Sequence, residues 1–247
     1  MSGLTLQGVA KRYATGTLAV EGIGLTVAAG DFVALLGASG CGKSTLLRLI
    51  AGLDEPSAGH IAPAPGTRRD IGFVFQEPTL MPWATALANV ALPLTLSGVP
   101  KPEAQARAAA ALANVGLAGQ EAAYPLTLSG GMRMRVSIAR ALVTGPRLLL
   151  MDEPFAALDE ITRFRLNNDL LALWERERFT AVFVTHSVFE SVYLARRVLV
   201  MAAHPGRIAA ELTIDAPYPR GEAFRTSAAY AAQCRAVSES LGQAMAA

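Results

Sequence analysis

From Phe32 to Leu36 the chain is apolar without a break, and the run that follows reads Gly37-Ala38-Ser39-Gly40-Cys41-Gly42-Lys43-Ser44. Leu46, Leu47 and Ile50 then recur at helical spacing, and Gly52 stands where a helix ends. The order is therefore buried strand, glycine loop, helix. Side-chain-free glycines let successive backbone N–H groups converge at a helix N-terminus, where the unpaired amides and the helix dipole favour an anion. The spacing is that of a phosphate-binding loop, in which Lys43 brings a charge to the β and γ phosphates and Ser44 offers a hydroxyl to Mg²⁺. Cys41 within the loop reads as a small filler.

At 247 residues the chain predicts one compact domain, residues 1–247, with a subdomain and a core that folds without staples. Strand patterns fill the first third, at Leu4 to Val9 and Leu18 to Val27, and Ile71 to Phe75 forms another short strand. From Glu77 to about Arg147 the chain turns rich in alanine and leucine without a convincing strand, which predicts a helical insertion over residues 77–147. Strands return at Leu148 to Met151 and Ala181 to Val184 around a helix at Arg163 to Glu177, the rhythm of a parallel βαβ sheet. Val198 to Met201 and Arg207 to Leu212 flank His204-Pro205-Gly206 as a hairpin, and a last amphipathic helix aligns Phe224, Ala231, Cys234, Val237 and Leu241.

Twenty-two Lys and Arg against 20 Asp and Glu leave a net charge of +2, too even for the basic face of a dedicated nucleic-acid binder. Cys41 and Cys234 have neither disulfide nor zinc spacing and suit a reducing cytosol. The N-terminal run has no apolar stretch of signal-peptide length. With 52% hydrophobic residues, a membrane span needs a direct test, and the uncharged stretch from Pro78 to Pro100 is long enough to raise it. Pro82 and Pro93 inside it break the lone helix that lipid requires, so the stretch is read as part of a soluble chain with an apolar face.

Leu148 to Met151 deliver Asp152 and Glu153 to the carboxyl end of a buried strand, where open α/β sheets place ligands. Adjacent positions point opposite ways, so Asp152 can serve Mg²⁺, usually through water, while Glu153 can face an attacking water as general base or orienter. Between the two motifs lies Leu128-Ser129-Gly130-Gly131-Met132, opening a helix.

That stretch resembles the signature motif of the ATP-binding cassette ATPases, and nearly the whole chain follows the pattern. The resemblance implies a P-loop NTPase core of α/β class with a mainly parallel sheet, an N-terminal antiparallel β subdomain and an inserted helical subdomain carrying the signature. It further implies ATP held by Gly37 to Thr45, with Tyr13 stacked on the adenine. Ser129, Gly130 and Gly131 act on ATP bound at a partner's loop, and Asp159 of Ala157-Leu158-Asp159 crosses the dimer interface. Gln76 senses Mg²⁺ and the γ-phosphate, and His186 contacts the γ-phosphate. Three positions depart from the family pattern: Met134 stands for the Gln after the signature, Ser187 for the Asp after the histidine, and Ala156 for a Gly before the interface loop. No role is assigned to His60 or His204.

Val74-Phe75-Gln76-Glu77-Pro78 running into Leu80-Met81-Pro82-Trp83, Asp152-Glu153-Pro154-Phe155 and His204-Pro205-Gly206-Arg207-Ile208 resemble the nitrate, sulfonate and taurine importer group. That implies a peripheral subunit on the cytoplasmic face of the inner membrane, working as a homodimer with membrane permease subunits and, indirectly, a solute-binding protein, without nucleic acid. A cassette ATPase of DNA repair would need a long heptad insertion, and one acting on ribosomes normally carries two cassettes; the chain has neither.

Overall fold

The computed structural model describes residues 2–63 and 70–246. Strands β1 (Ser2–Arg12), β2 (Leu18–Ala28) and β4 (Ala58–Pro63) form an antiparallel sheet in the order β2-β1-β4. A second sheet runs β5 (Ile71–Val74), β6 (Leu148–Asp152), β7 (Thr180–Thr185), β3 (Phe32–Gly37), β8 (Arg197–Ala202), β9 (Arg207–Thr213), parallel except for β9. Helix α1 (Lys43–Ile50) follows β3. Helices α2 (Ala86–Leu96), α3 (Lys101–Asn114) and α4 (Gly130–Leu142) lie between β5 and β6 with no described strand among them. Helices α5 (Glu160–Glu177), α6 (Val188–Leu194), α7 (Glu222–Arg225) and α8 (Ala228–Ala246) complete the chain. The mixed α/β class and both sheets match the expectation.

The apolar run at β3 is explained by its position, because β3 is hydrogen-bonded on both edges and covered on both faces. Its side chains alternate between two cores, as strand geometry requires. Phe32, Ala34 and Leu36 join the core formed with the helices α2 to α6 and α8, while Val33 and Leu35 face α1 and the antiparallel sheet. Leu149 and Met151 of β6 and Ala181 and Phe183 of β7 share the first core, and their neighbours Leu148, Leu150, Val182 and Val184 the second. Five parallel strands locked in this way end at one edge, so Gly37, Gln76, Asp152, Thr185 and Ala202 open onto a common rim.

Two details differ from the reading of the sequence. Helix α2 continues through Pro93, because the turn beyond it closes on Ser97, whose backbone N–H donates to the carbonyls of Pro93 and Leu94, both at 3.1 Å. Ala231 is solvent-exposed and Phe224 belongs to α7; the buried stripe of α8 is Tyr230, Cys234, Val237 and Ala244, with Leu241 half-buried beside it. Among the described residues, no helix is long and apolar enough to cross a membrane.

Candidate active site

Gly42 immediately precedes helix α1, and its φ of 93° lies in the left-handed region. A Cβ there would come within 2.7 Å of Val20 Cγ1 and 2.8 Å of Ala19 O, so the loop demands glycine on two counts. Lys43 is only 4% exposed, and its Nζ donates to the carbonyls of Gly37 at 2.8 Å and Ala38 at 3.0 Å. Its ammonium is thereby aimed along the loop, 3.5 Å from Glu153 Oε1. Ser44 Oγ donates to Asp152 Oδ1 at 3.0 Å. Burial pushes the Asp152 carboxyl up, and the Ser44 hydroxyl draws it back. A hydroxyl and a carboxylate side by side, with Gln76 lining the same cleft, form the hard-oxygen set that suits Mg²⁺.

Glu153 follows β6 with a φ of 45°, a rare conformation for a residue other than glycine and one that concentrates at functional sites. Its N–H donates to Val184 O at 3.0 Å, and its Oε2 lies 3.1 Å from His186 Nδ1. Lys43, Asp152, Glu153 and His186 thus meet from the ends of β3, β6 and β7 at one point. The cleft beside them encloses about 450 Å³ and is lined by Lys43, Ser44 and Glu153 together with Thr17 to Ala19, Ser39, Gly40, Gly42, Thr45 and Gln76. Tyr13 stands beside it, its hydroxyl 3.4 Å from Thr45 Oγ1, with Lys11 Nζ 5.3 Å from the centre of its ring. Cys41 is buried, and burial raises its thiol, in keeping with a filler.

Ser129, Gly130, Gly131 and Asp159 do not line this cleft. Ser129 caps α4 by accepting from the Met132 N–H at 3.2 Å. A Cβ on Gly131 would sit 2.7 Å from Thr162 Cγ2, so the start of α4 presses against the start of α5. Asp159 caps α5 through the Thr162 amide, which holds its carboxyl below the ordinary range.

Three contributors carry no local mark in the sequence. His204 lines the cleft, because Gly206 lets its turn approach so closely that a Cβ would lie 2.3 Å from Cys41 O. Arg140 of α4 donates to Pro78 O, Thr79 O and Thr79 Oγ1 at 2.8, 2.9 and 2.9 Å, tying the signature helix to the loop after Gln76. Arg220, buried, donates to the carbonyls of Val192, Tyr193 and Ala195 at the end of α6, where a cation complements the helix dipole. Its Pro-Arg-Gly surroundings resemble any surface turn, so only the fold reveals it.

A family model described as ABC transporter matches residues 20–156, more than half of the chain and the whole span from the glycine loop to Glu153. The chain belongs to the ABC transporter family. It is an ATPase of that family: an ABC transporter ATP-binding protein of Methanocaldococcus jannaschii is 51% identical over 206 residues, covering 82% of this chain and 77% of the relative. The aliphatic sulfonates import ATP-binding protein SsuB of Rhodopseudomonas palustris is 49% identical over 221 residues, covering 88% of this chain and 76% of the relative. The solved dimeric ABC transporter cassette MJ0796 superposes with a TM-score of 0.76 at 33% identity, over 87% of this chain and all of that one. The same cassette has been solved as a dimer bound to ADP and phosphate, at a TM-score of 0.75.

The three departures from the family pattern have structural accounts in this ABC ATPase. Met134 is buried inside α4, where an apolar side chain fits the core. Ala156 has no positive φ, so glycine is not required there. Ser187 caps α6, accepting from the Glu190 N–H at 3.3 Å, and Ser and Asp are interchangeable as caps. Ser187→Ala is therefore expected to lower stability by about 1 kcal/mol and Ser187→Asp to leave it within a few tenths, read as the urea midpoint.

Proposed function

We propose that two copies of this ABC ATPase sandwich two Mg²⁺-ATP molecules and drive import of a small solute through a separate permease. The observation that carries the pairing is the division just described: Lys43, Asp152, Glu153 and His186 converge in one chain, while Ser129 to Gly131 head a helix elsewhere. A second copy, apposed head to tail, brings its own α4 to the first copy's phosphates. Residues 1–76 and 148–247 are assigned to the nucleotide-binding core and 77–147 to the helical subdomain.

In this reading Gly37 to Thr45 cradle the phosphates, Tyr13 stacks on the adenine, and Ser44, Asp152 and Gln76 hold Mg²⁺ directly or through water. When bound, that cation neutralises charge developing between the β and γ phosphates. Glu153 takes the proton of the attacking water, and its 3.1 Å contact with His186 fixes the carboxylate's direction. Asp159 and the partner's loop meet across the interface. Aliphatic sulfonates are the solute class favoured by the SsuB relative, and a cytoplasmic-face peripheral location and a delivering binding protein follow from importer membership. A soluble role in DNA repair or translation is not favoured, since the relatives are transporter subunits.

The permease contact is assigned to the loop before α2. Trp83 is 76% exposed, yet its loop is held firmly, because the buried Asn89 accepts from the Met81 N–H at 2.7 Å and donates to the carbonyls of Met81, Ala84 and Thr85. Leu80 and Leu87 pack against the core beneath. A rigid loop that presents an aromatic to solvent is suited to receive a short apolar-faced helix of the permease. Trp83→Ala is expected to melt and hydrolyse ATP as wild type, while affinity for the permease falls roughly thirtyfold, the equivalent of about 2 kcal/mol for an aromatic hot spot. Reconstituted sulfonate uptake per ATP measures it: normal transport removes Trp83 from the interface, and a variant that unfolds assigns the side chain to holding its own loop.

A further inference from the structure

Glu190 is the buried carboxylate that the proposed chemistry does not use. It is 6% exposed on α6, and its Oε2 accepts from Thr185 Oγ1 at 2.5 Å. Thr185 Oγ1 in turn accepts from the Ser187 N–H at 2.9 Å, so the two bonds bracket His186 from either side in sequence. The other oxygen, Oε1, has no hydrogen-bond partner and lies 3.7 Å from Arg163 Nε, which also lacks one. Arg163 belongs to α5, and its Nη2 donates to Leu158 O at 2.9 Å, inside the interface loop Ala157-Leu158-Asp159. Desolvation pushes the Glu190 carboxyl up, and the Thr185 hydroxyl, Arg163 and His186 pull it back.

Leu158 O, Arg163, Glu190, Thr185 and the backbone at Ser187 therefore form one continuous polar chain from the interface loop to the His186 loop. Along that chain, the charged pair is held by proximity alone, without a formed hydrogen bond at Arg163 Nε or Glu190 Oε1. A small displacement of the interface loop can lengthen or close it at little local expense.

We infer that Arg163 and Glu190 act as a strut that positions His186 in response to the interface loop. The inference rests on the reading of His186 as the γ-phosphate contact, and it makes Arg163, Glu190 and Thr185 positioning residues for the reaction. Closure of two copies bears on Asp159 and Leu158; the strut carries that movement within the same chain to the ring facing Glu153. The ATP loop is not part of the chain, so nucleotide affinity stays out of the coupling.

The chain has three histidines, His60, His186 and His204, which makes ring ¹H–¹³C spectra of the full-length protein readable, with His186→Ala giving the assignment. In Glu190→Gln, Arg163→Gln and Thr185→Val, the His186 ring signal is expected to shift or broaden while those of His60 and His204 hold. The kcat for ATP should fall about tenfold with KM and nucleotide affinity within about twofold. Thr185→Ser keeps the hydroxyl and should return both readouts to wild type. Thermal melting separates a misfolded variant from a mispositioned one, and the three substitutions on three elements do not all depend on one packing site. An unmoved His186 signal with wild-type kcat in the folded variants overturns the strut, as does a loss of Thr185→Ser rescue. Full turnover in His186→Ala instead overturns the role of His186 itself, and the ring spectra still report whether the strut positions it.

Discussion

Replacing Glu153 by Gln is expected to lower ATP turnover by about 10²-fold or more and to leave ATP binding in place. The amide keeps the length and the hydrogen bonding of the carboxylate, so the 3.1 Å contact with His186 and the backbone bond to Val184 O persist. What disappears is the oxygen that, in the proposed chemistry, accepts the proton of water. The negative charge facing Lys43 at 3.5 Å is also removed, which frees that ammonium for phosphate. Binding therefore does not weaken, and an ATP-loaded pair of chains accumulates, visible as a doubled mass in gel filtration with ATP and Mg²⁺. A Glu153→Gln protein that hydrolyses ATP near the wild-type rate sinks the assignment of the base.

Lys43→Ala behaves in the opposite way. Its Nζ is buried and prealigned by two carbonyls, so the site loses a donor whose conformational freedom is already spent. A hydrogen bond to a charged group contributes about 1.5–3 kcal/mol, which predicts nucleotide binding weaker by roughly ten- to a hundredfold. Removing the ammonium also takes away the lysine cation beside the Glu153 carboxylate, and like charge then faces the γ-phosphate. Titration with a fluorescent nucleotide reads the difference directly: unchanged affinity in Lys43→Ala, with or without Mg²⁺, contradicts the phosphate cradle. The two variants part company in the binding assay, so one pair of proteins separates chemistry from affinity.

Much of the site is legible in the sequence because its physics is local. A loop that turns phosphate-ward needs glycine where φ is 93°, and a strand buried on both faces needs Phe32 to Leu36 unbroken. Asp152 and Glu153 are legible for the same reason, lying at the end of a strand whose apolar run announces its burial. Pro93 misleads, since a proline near the last turn of a helix removes only one bond, and Ser97 recloses the chain behind it. Ala231 misleads because alanine fits either face of a helix, and the packing of Tyr230 and Cys234 decides the stripe. Glu190 and Arg163 are 27 positions apart in sequence numbering and make sense only as neighbours at 3.7 Å. Nothing in either local context separates them from solvated charges. His204 joins the cleft for a reason that lies in another residue, the glycine two positions on, which allows a backbone-to-backbone approach.

The placement of Ser129 to Gly131 outside the cleft of their own chain has a consequence in mass action. In the proposed sandwich half of each catalytic centre comes from another molecule, so hydrolysis in dilute solution is expected to be second order in protein, with activity per chain climbing with concentration until pairing saturates. A permease that seats two copies side by side replaces bulk concentration by a local one, on the order of millimolar for closely tethered partners. On that reading copies adrift in solution are nearly idle and copies seated on the permease are active, so that assembly itself is the switch.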